Sequence, residues 1–137
     1  MRAFNRFYTE RIGALDESHE GLAITIAESR CLFTIRRLGT PEVGAIADSL
    51  GLDLGYVSRL VSRLERAGRA ERTPHDHDRR RRVVTLTRAG EDLLTEVEQR
   101  SNARMDSLTA HLRRNEKDEL MTAMDSIRRL LDRQGTE

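Results

Sequence analysis

Two short helix signals, a turn and a strand, tip and strand segment follow one another between Thr40 and Gly90, and long amphipathic stretches flank them on both sides. Together they predict a mainly α fold with a small β-hairpin wing, a winged helix-turn-helix with terminal dimerisation helices. The expected layout is a single domain over residues 1–137, with the winged lobe at about residues 25–90 and dimerisation helices over 1–20 and 91–137.

The first helix of the lobe is expected to open with Thr40 as N-cap and Pro41 at the first helical position, where a missing N–H is harmless. Ala45, Ile46 and Leu50 supply its apolar side, and Gly51 stands where a left-handed cap would end it. Asp53 then caps a second helix in which Val57, Leu60, Val61 and Leu64 recur at helical spacing and form one buried stripe. The opposite face carries Gly55, Tyr56, Arg59, Ser62 and Arg63, with Ser58 at its edge. A small, polar and cationic set of this kind suits a helix lying in a DNA major groove; it is equally the composition of an ordinary solvated face.

The segment after Gly68 bears on that choice. It reads AERT, PHDHDRRRR and VVTLT, with β-branched residues in the return strand and Arg79, Arg80, Arg81 and Arg82 at the tip. Four consecutive arginines repel one another, and Asp76 and Asp78 offset only part of that charge, so an anionic partner such as a phosphate backbone is expected. The whole chain carries only +1, but residues 53–88 hold ten arginines against five acids, a net of +5, and the remainder carries −4. Segregation of this kind creates a local positive field without a basic composition.

These residues resemble the multiple-antibiotic-resistance regulators, the MarR family of dimeric winged-helix repressors. Asp78-x-Arg80, then Leu86-Thr87 and Gly90, set behind VSRLVSRLERAG, carry the resemblance. It implies that Arg80 enters the minor groove and that Asp78 helps to orient it. A carboxylate beside an arginine on a flexible tip limits its rotamers, and an Asx turn at Asp78 is compatible with that role. The chain departs from the family in its extra Arg81 and Arg82, which leaves open which arginine enters the groove.

The DNA-contacting set is therefore expected to be Gly55, Tyr56, Ser58, Arg59, Ser62, Arg63, Asp78, Arg79, Arg80 and Arg81. Outside the lobe, Phe4, Phe7, Tyr8, Ile12 and Leu15 recur at helical spacing in a stretch too charged for a signal peptide or membrane span. Leu93, Leu94, Val97, Ser101, Leu108 and Leu112 mark a long helix capped by Thr87. A further helix, started near Asn115 and Asp118, carries Leu120, Met121, Met124, Ile127, Leu130 and Leu131. Phe4, Phe7, Tyr8, Ile12, Leu120, Met124, Ile127 and Leu131 are the expected dimerisation residues. A two-fold dimer places two recognition helices about one DNA turn apart on a pseudo-palindrome.

Thr25 and Glu28 form a capping box for a supporting helix holding Cys31, Leu32, Phe33, Ile35 and Leu38. Cys31 is the single cysteine, set in an apolar run, so it is expected to be buried and structural rather than redox-active, and an intracellular, cytoplasmic setting is expected. His75, Asp76, His77 and Asp78 have a metal-like spacing, but a cation there would sit in the field of four arginines. No catalytic motif, metal site or cofactor is expected. The N-terminal RAFNRFYTERIGAL resembles the opening of proteins that fuse this regulator type to an acetyltransferase domain; in a chain of 137 residues no such domain and no acetyl transfer are expected.

The expected function is sequence-specific binding of double-stranded DNA by a homodimeric, ligand-responsive repressor, with no membrane partner. The resemblance implies a small aromatic or phenolic effector. The alternative is a winged protein-interaction module whose arginines meet an acidic protein surface.

Overall fold

Leu64, Val57, Leu60 and Val61 are at most 1% exposed, and the fold is organised around the helix that carries them. The structure, a computed structural model, describes residues 1–12 and 22–132. Helices α1 (Arg2–Ile12), α2 (Ile26–Leu38), α3 (Val43–Leu50) and α4 (Leu54–Arg66) precede strands β1 (Ala70–Pro74) and β2 (Arg82–Leu86), and α5 (Arg88–Thr109) and α6 (Arg114–Asp132) follow. The chain forms two compact units, one ending at Asn102 and the other beginning at Ala103.

In the first unit, α2 starts from the expected capping box: Thr25 Oγ1 accepts from the Glu28 N–H at 3.1 Å, and Glu28 Oε2 accepts from the Thr25 N–H at 3.4 Å. Asp53 caps α4, its Oδ2 accepting from the Tyr56 N–H at 3.0 Å. Gly51 ends α3 in the left-handed region at φ 64°, as its position predicts.

The start of α3 differs from expectation. Its N-cap is Glu42, without a side-chain cap bond, and neither Thr40 nor Pro41 is helical. The reason is tertiary: the Pro41 carbonyl accepts from the Val84 N–H of β2 at 2.7 Å, and the proline is buried. With its carbonyl turned to β2, Pro41 is held outside the helix, and α3 starts two residues later than predicted. Its inward face shifts too; Ile46 and Ala47 are buried while Ala45 is exposed.

β1 and β2 pair antiparallel, from Ala70 opposite Leu86 to Pro74 opposite Arg82. Arg82 is thus a strand residue, and the tip lies between His75 and Arg81, whose backbone N–H and carbonyl bond at 2.9 Å. The strand pair connects to α5 through Thr87. Its Oγ1 donates to the Gly68 carbonyl at 2.6 Å and accepts from the Gly90 N–H at 3.2 Å, which is the expected cap. Gly90 itself is required by close approach: a Cβ there would lie 2.0 Å from the Arg69 carbonyl oxygen.

Ile24, Cys31, Leu32, Ile35, Ile46, Ala47, the four α4 residues, Ala70, Val84, Leu94 and Val97 form one core. Two ties brace α2. Arg36 reaches Glu98 of α5 at 2.5 Å and lies over the Phe33 ring at 5.1 Å, and Arg37 donates to Ser49 of α3. Cys31 is fully buried, and burial, with Glu28 nearby, pushes its thiol from 9.0 to about 11.

α1 buries no residue. Phe4 stacks on Tyr8 at 5.8 Å, Arg11 lies over Phe7 at 5.5 Å, and Ile12 is half-buried. Leu15 lies outside the described residues. In the second unit, α6 begins one residue before Asn115, where the Arg113 N–H donates to Glu116 Oε2 at 2.7 Å. Leu112 falls in the turn past α5, so it does not extend that helix's stripe as predicted. Leu120, Met121, Met124, Ile127, Leu130 and Leu131 are all exposed.

Gly90→Ala is expected to destabilise the chain by about 1–3 kcal/mol in chemical denaturation, because backbone must move to admit the methyl group. A loss below about 0.5 kcal/mol would show that the α5 start is free to shift. A thiol raised to about 11 favours its neutral form in the folded chain. This burial therefore contributes stability that is complete below pH 9 and lost as pH rises toward 11. Folded protein at pH 8 should resist alkylation at Cys31, and unfolded protein should react quickly; equal rates would contradict the burial.

Candidate nucleic-acid interface

The face of α4 opposite the core holds the residues predicted for contact. Gly55, Arg59 and Arg63 are exposed, and Tyr56, Ser58 and Ser62 are half-buried. Arg59, Ser62, Arg63 and Arg66 repeat the spacing of Val57, Leu60, Val61 and Leu64, moved on by two residues, which on a helix is about half a turn. Burying one stripe therefore turns the other outward. With Tyr56 these four residues line an open depression of about 270 Å³. Arg66 is absent from the sequence-predicted set although its spacing completes that stripe. At the start of the helix, a Cβ on Gly55 would lie 3.1 Å from Asp53 Oδ2 and 3.5 Å from Arg59 Nη1, so glycine keeps the first turn open.

The arginines around α4 are not equivalent. Among the described residues Arg59 has no side-chain partner. Arg63 Nε lies 3.6 Å from Glu28 Oε1, and Arg66 Nε donates to the Ser62 carbonyl at 3.4 Å. Arg72 of β1 turns back onto the helix. It pairs with Glu65 through its guanidinium, and its backbone N–H donates to Glu65 Oε1 at 3.0 Å. Its Nη2 also reaches the Ser58 carbonyl at 3.3 Å and Oγ at 3.5 Å, and its Nη1 reaches Ser62 Oγ at 3.4 Å.

Ser58 and Ser62 are consequently engaged in joining α4 to β1. Ser62 Oγ donates to the Ser58 carbonyl at 3.0 Å. The prediction put Ser62 on the fully outward face; the structure half-buries it because Arg72 covers that side. Neither Arg72 nor Glu65 was singled out from sequence, since their pairing depends on the hairpin folding back onto α4.

At the wing tip Asp78 Oδ1 accepts from the Arg80 N–H at 3.0 Å, and the Asp78 carbonyl accepts from the Arg81 N–H at 3.0 Å. Asp78 thus builds an Asx turn on the backbone of Arg80. His75 Nδ1 accepts from the His77 N–H at 3.2 Å, with the rings 5.9 Å apart. No group of three His, Cys, Asp or Glu side chains among the described residues could hold a metal ion. Arg79 and Arg80 are exposed and have no side-chain partner among the described residues. Arg81 differs, with its Nε 2.5 Å from Glu42 Oε1. The four arginines predicted as one cluster therefore divide into two outward residues, one ion-paired residue and one strand residue.

Residues 24–81 match the model of the MarR family. The chain is 24% identical over 111 residues to the HTH-type transcriptional regulator YfiV of Bacillus subtilis, covering 81% of this chain and 69% of that protein. It is 29% identical over 82 residues to the HTH-type transcriptional regulator BilQ of Clostridium symbiosum, covering 60% of this chain and 57% of BilQ. Among solved structures, a cysteine-to-serine mutant of MarR from E. coli superposes with a TM-score of 0.77 at 26% identity, over 92% of this chain and 93% of that one. The same mutant complexed with operator DNA gives a TM-score of 0.69 at 26% identity, over 92% and 91% of the two chains. The family-model match spans α2, α3, α4, β1 and the Asp78-x-Arg80 tip, and ends before β2. Residues 24–81 thus carry a match to the MarR-family domain, and the chain shares the winged helix-turn-helix fold of E. coli MarR.

Proposed function

We propose that the chain is a sequence-specific DNA-binding repressor that acts as a homodimer on a pseudo-palindromic operator. The observation that carries this reading is the outward stripe of α4, with Arg59 unpartnered, standing beside a wing tip whose Arg79 and Arg80 are also unpartnered among the described residues. Unpaired guanidinium groups on a helix and an ordered turn have all their donors available for phosphates and guanine edges. The complex of E. coli MarR with operator DNA supports the same use of this fold.

In this reading α4 enters the major groove. Arg59 and Tyr56 read base edges or adjacent phosphates, Arg63 contributes charge, and Gly55 lets the backbone approach closely. Ser58 and Ser62 act at the margin, their hydroxyls shared with Arg72. Arg79 and Arg80 reach from the wing toward the minor groove, where narrow width concentrates negative potential. Asp78 fixes the turn that aims them, and Arg81 contacts the backbone.

Dimerisation through the terminal helices is supported by the apolar residues left exposed within each unit: Phe4, Phe7 and Tyr8 on α1, and Leu120, Met124, Ile127 and Leu131 on α6. Exposed apolar faces of this kind are characteristic of association surfaces. Release from DNA would follow binding of a small aromatic or phenolic effector with higher affinity for a dimer whose recognition helices are wrongly spaced. The reading places the protein in the cytoplasm, and no described helix is long and apolar enough to cross a membrane.

Selection of bound fragments from the source genome at physiological salt tests the reading. One pseudo-palindrome should be enriched by the wild type and lost with Arg80→Ala. Arg80→Ala should weaken binding by about 1–3 kcal/mol and lower the salt slope by roughly one unit, with thermal stability unchanged. Arg59→Ala should change base preference as well as affinity. No enrichment, with equal weak binding to all duplexes, would favour a protein-interaction module instead.

A further inference from the structure

Glu42 is an unusual N-cap. Glutamate is not among the residues that favour this position, and its side chain makes no capping bond to α3. Its carboxylate is directed elsewhere: Oε1 is shielded from solvent, receives no hydrogen bond of good geometry, and has the Arg81 Nε at 2.5 Å as its compensation. The backbone beside it is anchored, since the Pro41 carbonyl takes the Val84 N–H at 2.7 Å. A carboxylate held by the base of the wing thus reaches up to an arginine at its tip.

The geometry of the contact decides what it does. A guanidinium has five donors, and Glu42 takes the Nε side. The two Nη groups have no partner among the described residues, and 57% of the Arg81 side chain remains exposed. An arginine ion-paired at Nε is drawn back from the tip toward Glu42, while its Nη fork stays available for a phosphate oxygen.

We propose that Glu42 is a positioning residue that presents Arg81 to the DNA backbone, leaving Arg79 and Arg80 as the arginines free to enter the minor groove. This rests on the DNA-binding function proposed above. It has a consequence of unexpected sign. Removing a negative charge near DNA should strengthen binding by simple electrostatics; if Glu42 positions Arg81, removing it weakens binding.

The test is titration of the selected operator duplex with wild type, Glu42→Gln, Arg81→Ala and the double variant at several salt concentrations. Glu71→Gln, which removes the same charge from an exposed position of β1, calibrates the charge effect. Glu42→Gln should bind on the order of fivefold more weakly, and Glu71→Gln no more weakly than wild type. The double variant should match Arg81→Ala, because the two changes remove one interaction. Thermal midpoints should stay near wild type, as expected for a surface ion pair. Binding by Glu42→Gln as tight as wild type, or losses that multiply in the double variant, would overturn the positioning role while leaving the DNA-binding function intact. A wild type that binds no duplex would remove both.

Discussion

The roll of α4 about its own axis is the constraint on which the interface depends. Val57, Leu60, Val61 and Leu64 are all buried, and burying each such side chain is worth about 1.5–3 kcal/mol. A helix has one orientation that satisfies all four at once. That orientation turns Arg59, Arg63 and Arg66 to solvent and brings Ser58 and Ser62 against β1. Shifting the stripe by one residue would rotate the face by about 100° and bury Arg59 and Arg63 in one direction or Glu65 in the other. The chemistry offered to a partner is therefore set by the packing on the opposite side of the same helix.

The wing strands share the core through Ala70 and Val84, and polar contacts join the rest of the wing to α4 and to the start of α3. Arg72 binds Glu65 and the two serines, and Glu42 binds Arg81. Individually, exposed ion pairs contribute little to stability. Their effect is geometric, since they join strand to helix at points the hydrophobic core does not reach. The chain's arginines divide accordingly. Arg36, Arg37, Arg69 and Arg72 join elements of the lobe, Arg69 through the Ala23 carbonyl at 3.0 Å, and Arg59, Arg79 and Arg80 face outward.

Features determined by a few neighbouring residues were legible in the sequence. The capping box at Thr25 and Glu28, the cap at Asp53, the left-handed Gly51 and the α4 stripe each follow from contacts within one or two turns, and the hairpin follows from its strand residues. Features set by distant contacts were not. Pro41 resembles a helix start until Val84, 43 residues later, takes its carbonyl. Net charge over residues 53–88 counts every arginine alike, because pairing of Arg72 with Glu65 or Arg81 with Glu42 exists only once the hairpin has folded back. Arg66 could have been found, since it completes the outward spacing; Glu42 carried no local signal of its role.

The most direct measurement is arginine-specific chemical modification, mapped residue by residue, with and without the operator duplex. In the free protein Arg59, Arg79 and Arg80 should react quickly and Arg72 slowly. The duplex should protect the first three and leave Arg72 unchanged. Equal reactivity of Arg59 and Arg72 in the free protein, or no protection of Arg59, Arg79 and Arg80 by DNA, would contradict an interface sorted by the packing of α4.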